Sequence, residues 1–174
     1  MVKKHHVYII SVFTVFLFVI SSAYSVPVIP NETGFGMETP AGRGGDVYRI
    51  TNLNPSGEGS LRECVEASGP RYCLFEVSGT IEIEEHLKVR EPYLTIAGQT
   101  APSPGITIKG AGIVIQTKDV LLQHLRVRVG DESNGPSYDN RDAIKIESKY
   151  EDIKNVVIDH VTASWATDEI FSTW

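Results

Sequence analysis

The chain has 174 residues, 22 of them Asp or Glu against 16 Lys or Arg, giving a formal net charge of −6. That acidity excludes bulk electrostatic binding of nucleic acid, and a polyanionic partner would need a local basic patch or a bridging cation. The length bounds the folded part to one ordinary domain.

Lys3 and Lys4 precede an apolar run from Val7 to Ile20. The run is short for a membrane span, and Ala23 and Ser25 are the small residues that signal peptidase prefers. We expect 1–25 to be a signal peptide cleaved near Ser25, leaving a secreted, extracellular product with no membrane association. An uncleaved anchor is the alternative. Export implies an oxidising compartment, so the only two cysteines, Cys64 and Cys73, are expected to form a disulfide.

From Val26 to Gly45 the chain is rich in Pro and Gly and reads as an extended lead-in. A short strand follows at 47–51. Next comes a helix signature over 60–68: Ser60 and Glu63 form a capping box, Leu61, Cys64 and Val65 share a face, and Gly69-Pro70 stops it. No later segment has a helical pattern. Instead, short apolar strands follow one another between Gly, Pro, Asn and Asp: LFEV, TIEI, LKV, LTIAG, ITIKG, IVIQT, VLLQHLRVRV, AIKIES and VVIDHVTAS. Parallel α/β folds need helical crossovers, so a doubly wound sheet is disfavoured and a sandwich, a barrel or a parallel β-solenoid remains. The recurring theme in YLTIAGQT, DVLLQHLRV and NVVIDHVTA favours the solenoid, with the lone helix covering its first coil. No turn cluster or cap follows the last strand, which predicts an N-terminal part of a longer domain, truncated at its C-terminus.

The segments GFGMETPAGRGGDVYRITNLNPSGEGSLRECVEASGPR, LTIAGQTAPSPGITIKG, DAIKIES and NVVIDHVTASWATDE resemble secreted pectate lyases, from about Gly34 onward. The ordered combination of LTIAGQTAP, DAI and IDH-x-x-x-SWATDE is its most specific part. Many relatives have Trp where Val157 stands here. The resemblance implies an all-β fold, the right-handed parallel β-helix, with a short N-terminal capping helix. It also implies calcium-assisted β-elimination of polygalacturonate by a full-length protein, a monomer, whose fragment 26–174 is inactive alone. Loss of the C5 proton beside a uronate carboxylate builds enolate-like charge, which a hard, oxygen-seeking Ca2+ suits.

Asp142 and Asp168 lie about one coil apart in sequence, and stacked coils are ~4.8 Å apart, so the two acids could share a cation. Turn acids capping backbone N–H groups are the alternative. In the related lyases the calcium-binding acids match Asp142 and Asp168, and two further ligand positions match the neutral Asn140 and Ser172, leaving about half the expected charge. Arg126 and Arg128 alternate with apolar neighbours and leave one face; they could grip substrate carboxylates or balance Asp131, Asp139 or Glu147. Asp159 and His160, as strand neighbours, are expected to point to opposite faces and to act as a structural polar pair rather than a catalytic dyad. His86 and His124 read as surface residues without a constellation. No residue of this chain is assigned as catalytic: the Arg base of such lyases is expected beyond Trp174. Two rival functions stand beside this one, a non-catalytic β-helix binding acidic polysaccharide and a polygalacturonase-type hydrolase, for which Asp168 and Glu169 are the paired acids.

Overall fold

The structure is a computed structural model describing residues 26–148 and 152–174; the expected signal peptide lies outside the described residues. Strand β1 (Asp46–Ile50) and helix α1 (Leu61–Glu66) lead into coils of three strands each. The first coil is β2 (Arg71–Phe75), β3 (Gly79–Glu82) and β4 (Leu87–Val89), and the second β5 (Leu94–Ala97), β6 (Ile106–Lys109) and β7 (Ile113–Ile115). The third is β8 (Val120–Gln123), β9 (Leu125–Arg128) and β10 (Ile144–Ile146), and the fourth β11 (Val156–Asp159), β12 (Thr162–Ser164) and β13 (Phe171–Thr173). Each strand pairs in parallel with its counterpart one coil away, giving three sheets ordered β1-β2-β5-β8-β11, β3-β6-β9-β12 and β4-β7-β10-β13. This is a parallel β-helix, and the sandwich and barrel are excluded.

The apolar pattern becomes stacked ladders along the solenoid axis. Cys73, Ile96 and Leu122 are in register in the first sheet, Ile81, Ile108 and Val127 in the second, and Leu87, Ile113 and Ile144 in the third. All are buried in one core cluster. Each fully buried Ile or Leu stabilises the fold by roughly 1.5–3 kcal/mol, and the close inter-coil spacing lets identical side chains nest. The lead-in lies over the outer face of the first sheet, where Val28, Ile29 and Met37 pack on Ala41, Leu121 and Val157.

Corners recur in register as well. Tyr93, Asp119 and Asn155 precede successive strands of the first sheet with φ of 64°, 58° and 56°, while His124 and His160 follow it at 53° and 52°. A left-handed residue turns the strand sharply, a conformation that non-glycine residues seldom adopt outside such turns. The segments VLLQHLRVRV and VVIDHVTAS, read from sequence as single strands, are therefore each broken at their histidine into two strands of different sheets.

Helix α1 is shorter than the 60–68 expected. Its start is the capping box in modified form: Ser60 accepts from Glu63 N at 3.3 Å, while the Glu63 carboxylate accepts from Gly59 N at 2.7 Å. Its end is set by Arg71, a fully buried strand residue. That guanidinium donates to the carbonyls of Cys64, Val65, Gly69, Glu91 and Pro92 at 2.7–3.2 Å, satisfying two carbonyls of the last helical turn and fixing it to the first coil. The expected disulfide, Cys64 to Cys73 with Cα atoms 5.9 Å apart, joins α1 to β2 beside it.

Candidate metal centre

The loop between β9 and β10 delivers the first acid of the site. Arg141, 2% exposed, donates to the carbonyls of Gly130, Glu132 and Pro136 and lies 5.2 Å over the Tyr138 ring. One guanidinium thus gathers carbonyls that a buried loop would otherwise leave unsatisfied. From below, His86 Nδ1 accepts from Gly112 N at 3.2 Å while its Nε2 meets the Asn140 carbonyl at 2.8 Å. Gly112 itself must lack a side chain, because a Cβ there would stand 2.0 Å from the Asp142 carbonyl oxygen. These contacts fix the backbone on both sides of Asp142.

Asp142 is 2% exposed. Its Oδ2 accepts from Ser172 Oγ at 2.5 Å and faces Lys145 Nζ at 3.5 Å. Its Oδ1 is buried without a hydrogen-bond partner. The next coil brings Asp168 and Glu169 to it: Ala143 N donates to the Glu169 carbonyl at 3.1 Å and Ile144 N to that of Ile170 at 3.2 Å. One carboxylate oxygen from each of Asp142, Asp168 and Glu169 lies within 4.8 Å of the others.

The electrostatics follow from this crowding. Burial pushes the Asp142 carboxyl up, but the Ser172 hydroxyl and the Lys145 charge outweigh it and hold the group below the ordinary carboxylate range. Glu169 moves the other way, raised by its contact with Asp168, by partial desolvation and by the charges of Asp168 and Asp142. Three acids and a hydroxyl, all oxygen donors, with one buried oxygen unsatisfied, fit a hard divalent cation that would relieve the repulsion.

Of the residues expected from sequence, Asp142 and Asp168 come together as anticipated. Glu169 was read from sequence only as the partner of Asp168 in the hydrolase alternative, not as a cation ligand, although the pairing of Ile144 with Phe171 sets it at the register of Asp142. The site therefore keeps a third carboxylate, and the expectation that half its charge is lost is corrected. Asn140 ends an exposed 3-10 turn, Tyr138–Asn140, and its contact here is its backbone carbonyl toward His86. Ser172 points its hydroxyl at Asp142. His86 is buried and structural, not a surface residue.

The arginine pair lies elsewhere. Arg126 and Arg128 stand on β9, in a different sheet from the strand that follows Asp142. Arg126 donates to Thr107 Oγ1 at 2.9 Å, and Arg128 to the Thr162 carbonyl and hydroxyl at 2.9 and 2.8 Å. Among the described residues neither forms an ion pair, so the balance with Asp131, Asp139 or Glu147 is not made. Asp159 and His160 do not diverge: the left-handed turn at His160 brings its Nδ1 to 2.6 Å from Asp159 Oδ1. His124, expected to stand alone, stacks on His160.

Fold and site together define a parallel β-helix with a cluster of three carboxylates where the chain enters one of its sheets. The recognition made from the motifs is borne out by comparison with known proteins. The chain is 43% identical over 144 residues to a protein named probable pectate lyase C from Aspergillus flavus, covering 82% of this chain and 32% of that protein. It is 42% identical over 152 residues to another of that name from Emericella nidulans, covering 87% and 34%. The chain thus spans about a third of the length of the curated relatives it matches. Among solved structures, Jun a 1, the major allergen from cedar pollen, superposes with a TM-score of 0.64 at 23% identity over 82% of this chain and 44% of that one, a likeness of fold. No protein-family model matches the chain.

Proposed function

We propose that this chain carries the calcium-holding part of a secreted pectate lyase, and that a protein of the relatives' length cleaves polygalacturonate by calcium-dependent β-elimination. The observation that carries this reading is the buried, unpartnered Oδ1 of Asp142 beside the carboxylates of Asp168 and Glu169. Relatives named as pectate lyases support it. Bound there, Ca2+ would offset the charge of a substrate uronate carboxylate and so ease loss of its C5 proton. The chain's own residues hold and orient. Asp142 is the fixed ligand, kept ionised by Ser172 and Lys145, while the exposed Asp168 and Glu169 close on it from the next coil. The base is expected outside this chain, and Arg126 and Arg128 are given no part in the reaction. The disulfide supports export.

The test is the longer protein on polygalacturonate, followed by the ultraviolet absorbance of the unsaturated product. Chelation should abolish product, and Asp142→Ala should raise the calcium concentration required while leaving the solenoid folded. Residues 26–174 alone should give none. Unchanged calcium dependence in the variant, or product from this chain alone, would overturn the assignment. One observation favours the hydrolase instead: Glu169, its carboxyl raised by its contact with Asp168, makes with it the kind of pair that acid and base catalysis uses. Hydrolysis would give saturated products, without the absorbance and insensitive to chelator.

A further inference from the structure

At the corner between the first and second sheets, three metal-binding side chains converge that the proposed reaction does not use. His124 follows β8 and His160 follows β11 at matching positions, because Gln123 and Asp159 are register partners. Both take left-handed φ, and His124 N donates to the Asp159 carbonyl at 3.1 Å, so the two turns stack. The imidazoles lie one above the other, with centroids 4.6 Å apart and planes 17° from parallel. One nitrogen of each ring and one Asp159 oxygen lie within 4.8 Å of one another. The other oxygen, Oδ2, accepts from Gln123 Nε2 at 3.0 Å. Both rings are exposed. The pair cannot extend to the preceding coil: Gly98 stands there, and a Cβ on it would meet the His124 carbonyl oxygen at 2.3 Å.

We propose that His124, His160 and Asp159 form a second cation site, selective for a borderline transition metal such as zinc(II) and independent of the carboxylate cluster at Asp142. Two imidazoles and one carboxylate are a ligand set that zinc, copper and nickel prefer and calcium does not. Zinc ligands lie ~2.0–2.2 Å from the ion, so the three atoms must draw together by about 1 Å. Exposed histidine side chains can make that movement by rotation about χ1 and χ2. The entering ion takes the place of the hydrogen between His160 Nδ1 and Asp159 Oδ1, and that proton is released to solvent. Gln123 steadies the carboxylate from outside, the usual role of a ligand's outer partner.

The test is titration of the full chain with zinc(II) by calorimetry, in a background of His5→Ala and His6→Ala so that the adjacent histidines near the start do not contribute. One equivalent should bind, and calcium in excess should not displace it. His124→Asn and His160→Asn should each weaken binding at least ~10-fold. Asparagine is chosen because it tolerates the left-handed backbone that alanine would strain. Asp142→Asn should leave zinc binding unchanged, which separates this proposal from the calcium site. Without any variant in the corner, the ring-proton NMR signals of His124 and His160 should shift together as zinc is added, and that of His86 should not. Absence of binding, binding that survives loss of both histidines, or binding lost with Asp142 overturns the proposal.

Discussion

At the scale of single residues, the proposed cation site is defined by what presses on Asp142. Lys145 Nζ, 3.5 Å from Oδ2 and 5.7 Å over the Trp174 ring, is a resident positive charge that the proposed calcium ion would have to tolerate. Removing it should tighten calcium binding: Lys145→Met is expected to lower the Kd roughly 3–10-fold, on the order of 1 kcal/mol at the effective dielectric of a protein surface. An unchanged or weaker Kd by calorimetry would show that the ammonium is not competing. Glu169→Gln should weaken calcium at least as much as Asp168→Asn, since Glu169 shares the register of Asp142. Apart from Glu169, the acids of this site were legible in the sequence, because a coil-length separation is visible there. Glu169 was not, because adjacent acids on a strand diverge, whereas these two precede β13 in irregular backbone.

At the scale of elements, two buried arginines do what sequence patterning did not announce. Arg71 reads as one more residue of a strand start, yet its guanidinium serves five carbonyls from α1, the α1–β2 turn and the β4–β5 turn. Arg71→Met should destabilise the chain by about 3 kcal/mol in urea denaturation, because it strands buried acceptors. Reduction of the neighbouring disulfide should cost about 2–3 kcal/mol. Arg141→Ala should chiefly loosen the loop before Asp142. The expected outcome is a calcium Kd raised severalfold with a smaller loss of stability; equal calcium affinity would mean that His86 and Gly112 position Asp142 alone. The histidine corners were illegible for a related reason. A left-handed turn inside an apolar run has no compositional mark when the turning residue is His rather than Gly or Asn, so two corners were taken for strand interiors.

At the scale of the molecule, the solenoid was legible because parallel stacking repeats its demands: each coil needs apolar residues at the same register, and the chain supplies them in short runs between turn residues. The last coil shows where that repetition lacks a neighbour among the described residues. Strands β11, β12 and β13 are the outer members of their sheets, and Ile170, Phe171 and Trp174 are 51%, 49% and 71% exposed. Unpaired parallel edges with apolar side chains invite association, so the chain on its own should run as oligomers in light scattering, and a clean monomer would contradict this.

The most direct test of the central claim is a calorimetric calcium titration of this chain and of its Asp142→Asn variant, with circular dichroism as the check on folding. The account predicts one calcium ion bound by the wild-type chain, at least ~10-fold weaker binding by the variant, and the same β-rich spectrum for both. No calcium binding by the wild type, or equal binding by the variant, would contradict it.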